Sequence, residues 1–259
     1  MAQRQEGSGV VGFSSPAHER VKWKREDSMP IERKIGQIWI GPKPAPTRWM
    51  DSWKTIHPDL PYTLYDNAYL TGRRFRTQAL IEHYFARREF AGVADLMRYE
   101  ILFEHGGFMP EADSTAAARV DPLFEADQPF TCYEIDPTIC HELGMPRKVG
   151  LICPILGSPQ AHPVLGALIK TLAGVPVSDS LGKPWAVTGN KMLREFFRKR
   201  PKLAAQLTIY PAHYFVPEHY RGWRYQGDGP VYAHQHWGTT RDGYAAGEMP
   251  TELHQSEPS

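Results

Sequence analysis

Two acidic residues spaced one apart, Glu111 and Asp113, follow a Gly106-Gly107 turn and a short apolar run, Phe108-Met109. In an extended segment residues i and i+2 project to the same side. Two carboxylates so placed can share a hard divalent cation such as Mg²⁺ or Mn²⁺, which prefers oxygen ligands. An isolated E-x-D is common in acidic loops, so its meaning depends on where the fold puts it. Upstream, Asp95 and Arg98 are three apart in a helical pattern, a spacing that sets both on one face where they could act together on a ligand. Taken alone, the pair reads more simply as a surface ion pair, which is nearly neutral in energy. Near the end, His234 and His236 flank Gln235. On a strand they would point the same way, either offering an imidazole to a metal or lying as plain surface residues.

The elements that must position these groups alternate. Ile35 to Gly41 reads as a short buried strand, Trp49 to Ile56 as a helix, Tyr62 to Tyr65 as a strand and Phe75 to Phe90 as a helix. Ala91 to His105 is the clearest helix: Val93, Leu96, Met97, Ile101 and Phe103 lie mostly along one stripe, and Gly106-Gly107 provides the stop. Beyond it, Pro129 to Ile135 and Val149 to Leu156 read as strands and Val164 to Ala173 as a helix. Lys191 to Lys199, capped by Thr188 or Asn190, reads as another helix, and Leu207 to Tyr210 and Pro230 to His236 as strands. The alternation predicts an α/β fold with a mixed, mostly parallel sheet flanked by helices. Such folds bind ligands beyond the carboxyl ends of their strands, where the E-x-D falls.

Four passages in order resemble one family. Gly36-Gln37-Ile38-Trp39-Ile40-Gly41 is similar to an H-Q-I-W-I-G opening. Ser52-Trp53 through Pro58-Asp59 and Tyr65-Asp66 resembles S-W…N-P-D…L-W-D. Ala94 through Leu102 resembles A-D-L-L-R-Y-E-I-L, and Gly106 through Asp113 resembles G-G-I-Y-L-D-x-D. These belong to glycosyltransferases with the D-x-D sugar-binding motif: yeast-type initiating mannosyltransferases, bacterial capsule enzymes and, distantly, the large clostridial glucosylating toxins. The resemblance implies a Rossmann-like GT-A fold and a metal-dependent, retaining transfer of a hexose from a UDP-sugar or GDP-sugar to a hydroxyl. The acceptor would be a polysaccharide or glycolipid.

The resemblance also implies roles. Ile38 and Trp39 would line the donor site, with Trp39 against the base, where a flat ring offers stacking area; a core aromatic is the other reading of Trp39. Asp95 and Arg98 would hold the sugar and its phosphate. Glu111 would reach ribose and metal, and Asp113 would bind Mn²⁺ or Mg²⁺. In the second half, Gly157-Ser158-Pro159 with His162-Pro163, Thr188-Gly189 and Tyr210-Pro211 are similar to family passages. Tyr232 to Thr239 resembles a closing H-H-x-x-G-S-W. Anchoring on Gly238-Thr239 makes His234 the metal ligand; anchoring on His236-Trp237 makes it His236. Four positions depart from the pattern: Gly36 replaces His, Glu111 replaces the first Asp, Pro110 precedes it, and Thr240 stands where the last Trp would be. The last three motivate an alternative, a nucleotide-sugar-binding protein of the same fold without transferase activity. A hydrolase built on the acids and histidines comes last, since no nucleophile elbow or H-E-x-x-H is present.

Bulk properties narrow the rest. The 259 residues suit one large α/β domain, expected over 31–241, with polar tails at 1–30 and 242–259. A formal net charge of +1 gives no electrostatic pull toward nucleic acid. No apolar run approaches a membrane span and no secretory signal is visible, so a cytoplasmic protein with at most peripheral membrane contact is expected. Cys132, Cys140 and Cys153 are odd in number and read as buried thiols; Cys140-His141 could be half a zinc site but lacks a C-x-x-C partner.

Overall fold

Ile35 and Ile38 are both buried, and they feed different apolar clusters because neighbouring side chains of a strand alternate between faces. Phe108 and Met109 divide in the same way. The sheet is therefore covered on both sides, which explains why its strands read as apolar runs. The computed structural model describes residues 29–142, 144, 150–238, 240 and 241. The expected tails fall outside these residues, apart from Met29 and Pro30.

The described strands are β1 (Ile35–Ile38), β2 (Tyr62–Tyr65), β3 (Gly107–Phe108), β4 (Ser114–Ala116), β5 (Phe130–Ile135), β6 (Leu151–Ile152), β7 (Gly157–Ser158), β8 (Thr208–Tyr210) and β9 (Ala233–Gln235). The helices are α1 (Thr47–Ile56), α2 (Asn67–Thr71), α3 (Gln78–Ala86), α4 (Phe90–His105), α5 (Pro137–Glu142), α6 (Pro163–Ala173), α7 (Pro184–Val187), α8 (Asn190–Arg198) and α9 (Pro201–Ala204). Seven strands form the main sheet in the order β2-β1-β3-β7-β5-β6, with β8 also on β5. β1 is parallel to β2 and β3; β7 is antiparallel to β3 and β5; β8 is parallel to β5. Two reversals through β7 leave β1, β2, β3, β5 and β8 running one way, with β6 and β7 against them. The mixed, mostly parallel sheet expected from the alternation is what forms. The carboxyl ends of β1, β3, β5 and β8 consequently share one edge. A separate antiparallel pair, β4–β9, pairs Ser114 with Gln235 and Thr115 with His234.

Several boundaries differ from expectation. α4 is buried around most of its circumference, Arg98, Tyr99 and Glu100 included, rather than along one stripe. It is the central helix, packed by α3 and α6. Gly106 (φ +64°) and Gly107 (φ +99°) turn the chain from α4 straight into β3 in a conformation that side chains rarely adopt. At Gly106 a Cβ would also lie 1.6 Å from a Glu32 carboxylate oxygen. The helix expected over Phe75 to Phe90 is shorter, because the buried Glu100 carboxylate accepts from the amides of Arg76 and Thr77, both at 2.8 Å, and fixes the entry to α3. Arg88, at φ +57°, ends that helix before α4 begins. Asp66 caps the unexpected α2 through the amides of Ala68 and Tyr69. The strand expected over Val149 to Leu156 is broken at Pro154, which has no amide to donate; Val149 lies outside the described residues. No side-chain cap forms on α8, whose N-cap is Gly189.

Candidate functional site

The site is built where the edge of the sheet meets the N-terminal half of α4. Asp95 is partly exposed there, and its Oδ2 accepts a 2.9 Å hydrogen bond from the Thr188 hydroxyl. That bond explains why Thr188 does not cap α8. Burial, with the Glu111 charge adding to it, pushes the Asp95 carboxyl from 3.8 up to about 7, against the pull of Thr188 and Arg98. A carboxyl near neutrality can both donate to and accept from a ligand's hydroxyls.

Arg98 is not a surface ion pair. It is buried, one nitrogen donating to the Met109 carbonyl and the other lying 2.8 Å from Glu111 Oε1. Its Nε–H is buried with no hydrogen-bond partner among the described residues. Burial raises the Glu111 pKa, opposed by Arg98 and reinforced by the Asp113 charge. The two acidic side chains therefore sense each other, as the i, i+2 spacing anticipates.

The backbone between them is a turn rather than the expected extended segment. Pro110 cannot extend the β3 ladder. The Glu111 carbonyl instead accepts from Gln37 Nε2 at 2.9 Å, from the Ser114 hydroxyl at 2.7 Å and from the Ser114 amide at 3.2 Å. Tyr62 orients Gln37 in turn, its hydroxyl donating at 2.9 Å to Oε1. Trp53 is fully buried and donates from its indole to Ser114, so α1 is locked beneath the turn.

Asp113 is 9% exposed. Its Oδ1 accepts from Gln235 Nε2 and its Oδ2 from the Gly238 amide, each at 2.8 Å. Its carbonyl accepts from the His236 amide, also at 2.8 Å. The segment expected to supply imidazoles thus reaches Asp113 through an amide side chain and two backbone N–H groups. Trp237 sits at φ +58°, unusual for a bulky residue, immediately before the Gly238 amide that meets Asp113.

His236 stacks on Trp49, ring centroids 4.7 Å apart and 8° from parallel, with Nε2 3.0 Å from the Thr115 hydroxyl. Burial lowers its pKa, partly opposed by Asp113. His234 is exposed, opposite Thr115 on the β4–β9 ladder. Among the described residues, no three of His, Cys, Asp and Glu come together as a metal cluster. The structure brings Asp95, Arg98, Glu111 and Asp113 into one neighbourhood and leaves the two histidines at its border.

Trp39 lies just past β1 on the same edge of the sheet. It is half-buried, with its indole donating to the Lys43 carbonyl at 2.8 Å and its amide to Tyr65. Ile38 is buried in the core and supports this corner from beneath. Adjoining the Glu111 turn is a cavity of about 100 Å³, lined by Pro110, Glu111, Glu134, Phe215, Gln235 and Trp237 among others. Cys132 and Cys153 are at its wall as free thiols. Cys153 is held neutral by its contact with Cys132 and by burial. Cys140 is buried in α5.

The sequence reading missed Gln37, Thr188, Gln235, Gly238 and Glu134. Each acts through a contact between segments far apart in the chain, which local spacing cannot reveal. Gln37, Thr188, Gln235 and Gly238 did lie inside quoted motifs, so their position was marked although their role was not.

No helix of the described residues is long and apolar enough to cross a membrane. No family model matches the chain, and no curated protein sequence matches it. Among solved structures it is similar to PaToxG glycosyltransferase, at 13% identity over 68% of this chain and 74% of that one, with a TM-score of 0.50. At that identity the likeness is one of fold: the chain has a mixed α/β architecture of the GT-A-like glycosyltransferase kind.

Proposed function

We propose that this protein transfers a hexose from a nucleoside diphosphate sugar to an acceptor hydroxyl. One observation carries the reading: Trp39, the Asp95–Arg98 pair and the Glu111–Asp113 turn gather at the carboxyl edge of the parallel strands, where α/β sheets bind ligands. Trp39 offers a stacking face for the base. Arg98 presents a fixed cation to phosphate oxygens, its buried Nε–H still unused. Asp95 meets sugar hydroxyls in either protonation state.

The donor set fits Mn²⁺ or Mg²⁺ as a site completed by the nucleotide. Such ions are held by one or two carboxylates plus substrate phosphates, and each carboxylate oxygen keeps a lone pair beyond the bonds described. Glu111 and Asp113 would hold the ion; the histidines are not needed. When bound, the cation offsets charge on the departing diphosphate. Arg98 acts on the same oxygens without reorganising. Retention of the anomeric configuration, and a polysaccharide or glycolipid acceptor, follow from the motif resemblance.

A second reading is favoured by a specific observation. Glu111 is engaged by Arg98, and Asp113 by Gln235 and Gly238. Carboxylates already engaged by protein donors suit a nucleotide-sugar-binding protein without turnover. Thermal melting with a panel of UDP- and GDP-sugars and Mn²⁺, followed by a donor-hydrolysis assay on whatever stabilises, separates the two. Stabilisation with turnover supports transfer, stabilisation alone supports binding, and a melting point that no donor moves counts against both.

A further inference from the structure

Glu134 is the penultimate residue of β5, which runs parallel to β1 and β3. Its carboxylate therefore arrives at the same sheet edge as Trp39 and the Glu111 turn. Cys132 and Glu134, two apart on the strand, both line the cavity that Glu111 also lines. Glu111 and Glu134 are the carboxylates lining it, and Glu111 is committed to Arg98.

The surroundings of Glu134 are built to hold it. Asn190, at the start of α8, donates its side-chain amide to Oε2, and Tyr225 donates its hydroxyl to the Glu134 carbonyl at 3.0 Å. On the Oε1 side lies His219, fully buried, with Nε2 3.6 Å away. The Arg221 amide points at His219 Nδ1 from 3.3 Å. A backbone N–H can only donate, so Nδ1 accepts, and the neutral ring carries its hydrogen on Nε2, facing Glu134. At 3.6 Å this is beyond hydrogen-bond reach, and His219 Nε2 has no hydrogen-bond partner among the described residues. The imidazole is fixed by stacking on Trp223, centroids 4.8 Å apart, and by the edge contact of Trp237 at 5.0 Å. A buried polar nitrogen is thus aimed at a carboxylate in a cavity and keeps just short of it. Oε1 is left to accept from something else in that space.

Resting on the sugar-transfer reading above, we propose that Glu134 is a catalytic residue of the acceptor half of the site, taking the hydrogen of the incoming hydroxyl. Asn190 and His219 are its positioning residues. The cavity, about 100 Å³, has room for about three waters at about 30 Å³ each. It is open on one side, so the hydroxyl-bearing arm of an acceptor can reach Glu134 there. In the step, the bond from the anomeric carbon to the diphosphate oxygen breaks and its electron pair leaves with the diphosphate. The acceptor oxygen supplies the pair for the new bond to that carbon on the face the diphosphate departs from, which keeps the anomeric configuration. Its proton passes to Glu134 Oε1 and from there to solvent.

The test uses the full chain with Mn²⁺ and two probes, UDP-glucose and GDP-mannose, with water as the acceptor. Glu134→Gln is expected to lower donor hydrolysis on the order of 10²-fold, the range for a lost general base, while UDP or GDP affinity by calorimetry stays within about twofold of the parent. Glu134→Asp, which keeps the charge, is expected to recover part of the rate and guards against a glutamine variant that folds poorly. Asn190→Ala is expected to lower kcat and leave the donor KM unchanged, a split that a purely structural role would not give. Undiminished hydrolysis by Glu134→Gln overturns the assignment of Glu134 alone. A parent protein that turns over neither donor overturns the transfer reading and the role of Glu134 with it.

Discussion

Replacing Asp95 by Asn should stabilise this protein at alkaline pH and damage its function. A carboxyl whose ordinary value is 3.8 ionises in the fold only at about 7. Its conjugate base is therefore disfavoured in the folded state by about 4 kcal/mol, at about 1.4 kcal/mol for each tenfold change in proton affinity. Asp95 is partly open to water, so this figure is a ceiling, and about 1–4 kcal/mol is expected. The sign follows from proton counting. Between about pH 4 and pH 7 the folded chain holds a proton that the unfolded chain has released, so the Asp95 contribution to stability falls as pH rises through that window. Below it the penalty vanishes, and above it the penalty is complete. The carboxamide of the variant cannot ionise and keeps an oxygen for the Thr188 hydroxyl. Urea unfolding of parent and variant at pH 8 and pH 5 brings out the effect, because groups distant from Asp95 titrate alike in both. The variant should be the more stable at pH 8, by an amount that shrinks to less than half at pH 5. For a chain of this size the pH 8 gain corresponds to roughly 2–4 °C in Tm per kcal/mol. A variant no more stable than the parent at pH 8, or a difference independent of pH, would refute the picture of a strained, functional carboxyl.

Two further perturbations probe the frame around that residue. Trp39→Ala should weaken UDP or GDP binding by about 1–3 kcal/mol if its ring stacks on the base, read by calorimetry with melting unchanged; unchanged affinity would make Trp39 a structural aromatic. Trp53→Ala should cost about 3–5 kcal/mol of stability in urea unfolding, since it empties the fully buried space beneath the Glu111 turn and removes the indole donor to Ser114; a loss under about 1 kcal/mol would mean that α1 does not brace the turn.

What could be read in the sequence, and what could not, divides by the range of the interactions involved. The α4 helix and the strands β1, β2, β5 and β8 announced themselves through periodicity and Gly stops, which are local. Asp95, Arg98, Glu111 and Asp113 were legible because the motif spacing preserves a helix, a Gly-Gly turn and a sheet edge in fixed order. The turn at Glu111 was not legible, because it depends on Gln37 and Ser114 satisfying a carbonyl that Pro110 takes out of the ladder. The closing segment shows the limit of motif reading most clearly. Its imidazoles drew attention, yet Gln235 and the Gly238 amide reach the Asp113 carboxylate, while His236 lies flat on Trp49. Glu134 sat in an ordinary apolar strand, and only the parallel topology brings it to the edge that matters.

The most direct measurement is a calorimetric titration of UDP and GDP into the parent protein and into Asp113→Asn, each with and without Mn²⁺. The carboxamide of that variant retains an oxygen for Gln235 or Gly238, so the fold should hold while the anionic ligand is lost. Nucleotide is expected to bind the parent in a Mn²⁺-dependent manner and the variant at least about 10-fold more weakly, a difference of about 1.4 kcal/mol or more. Equal affinity in parent and variant, or no binding of either nucleotide to the parent, would contradict a cation held between the Glu111–Asp113 turn and a diphosphate.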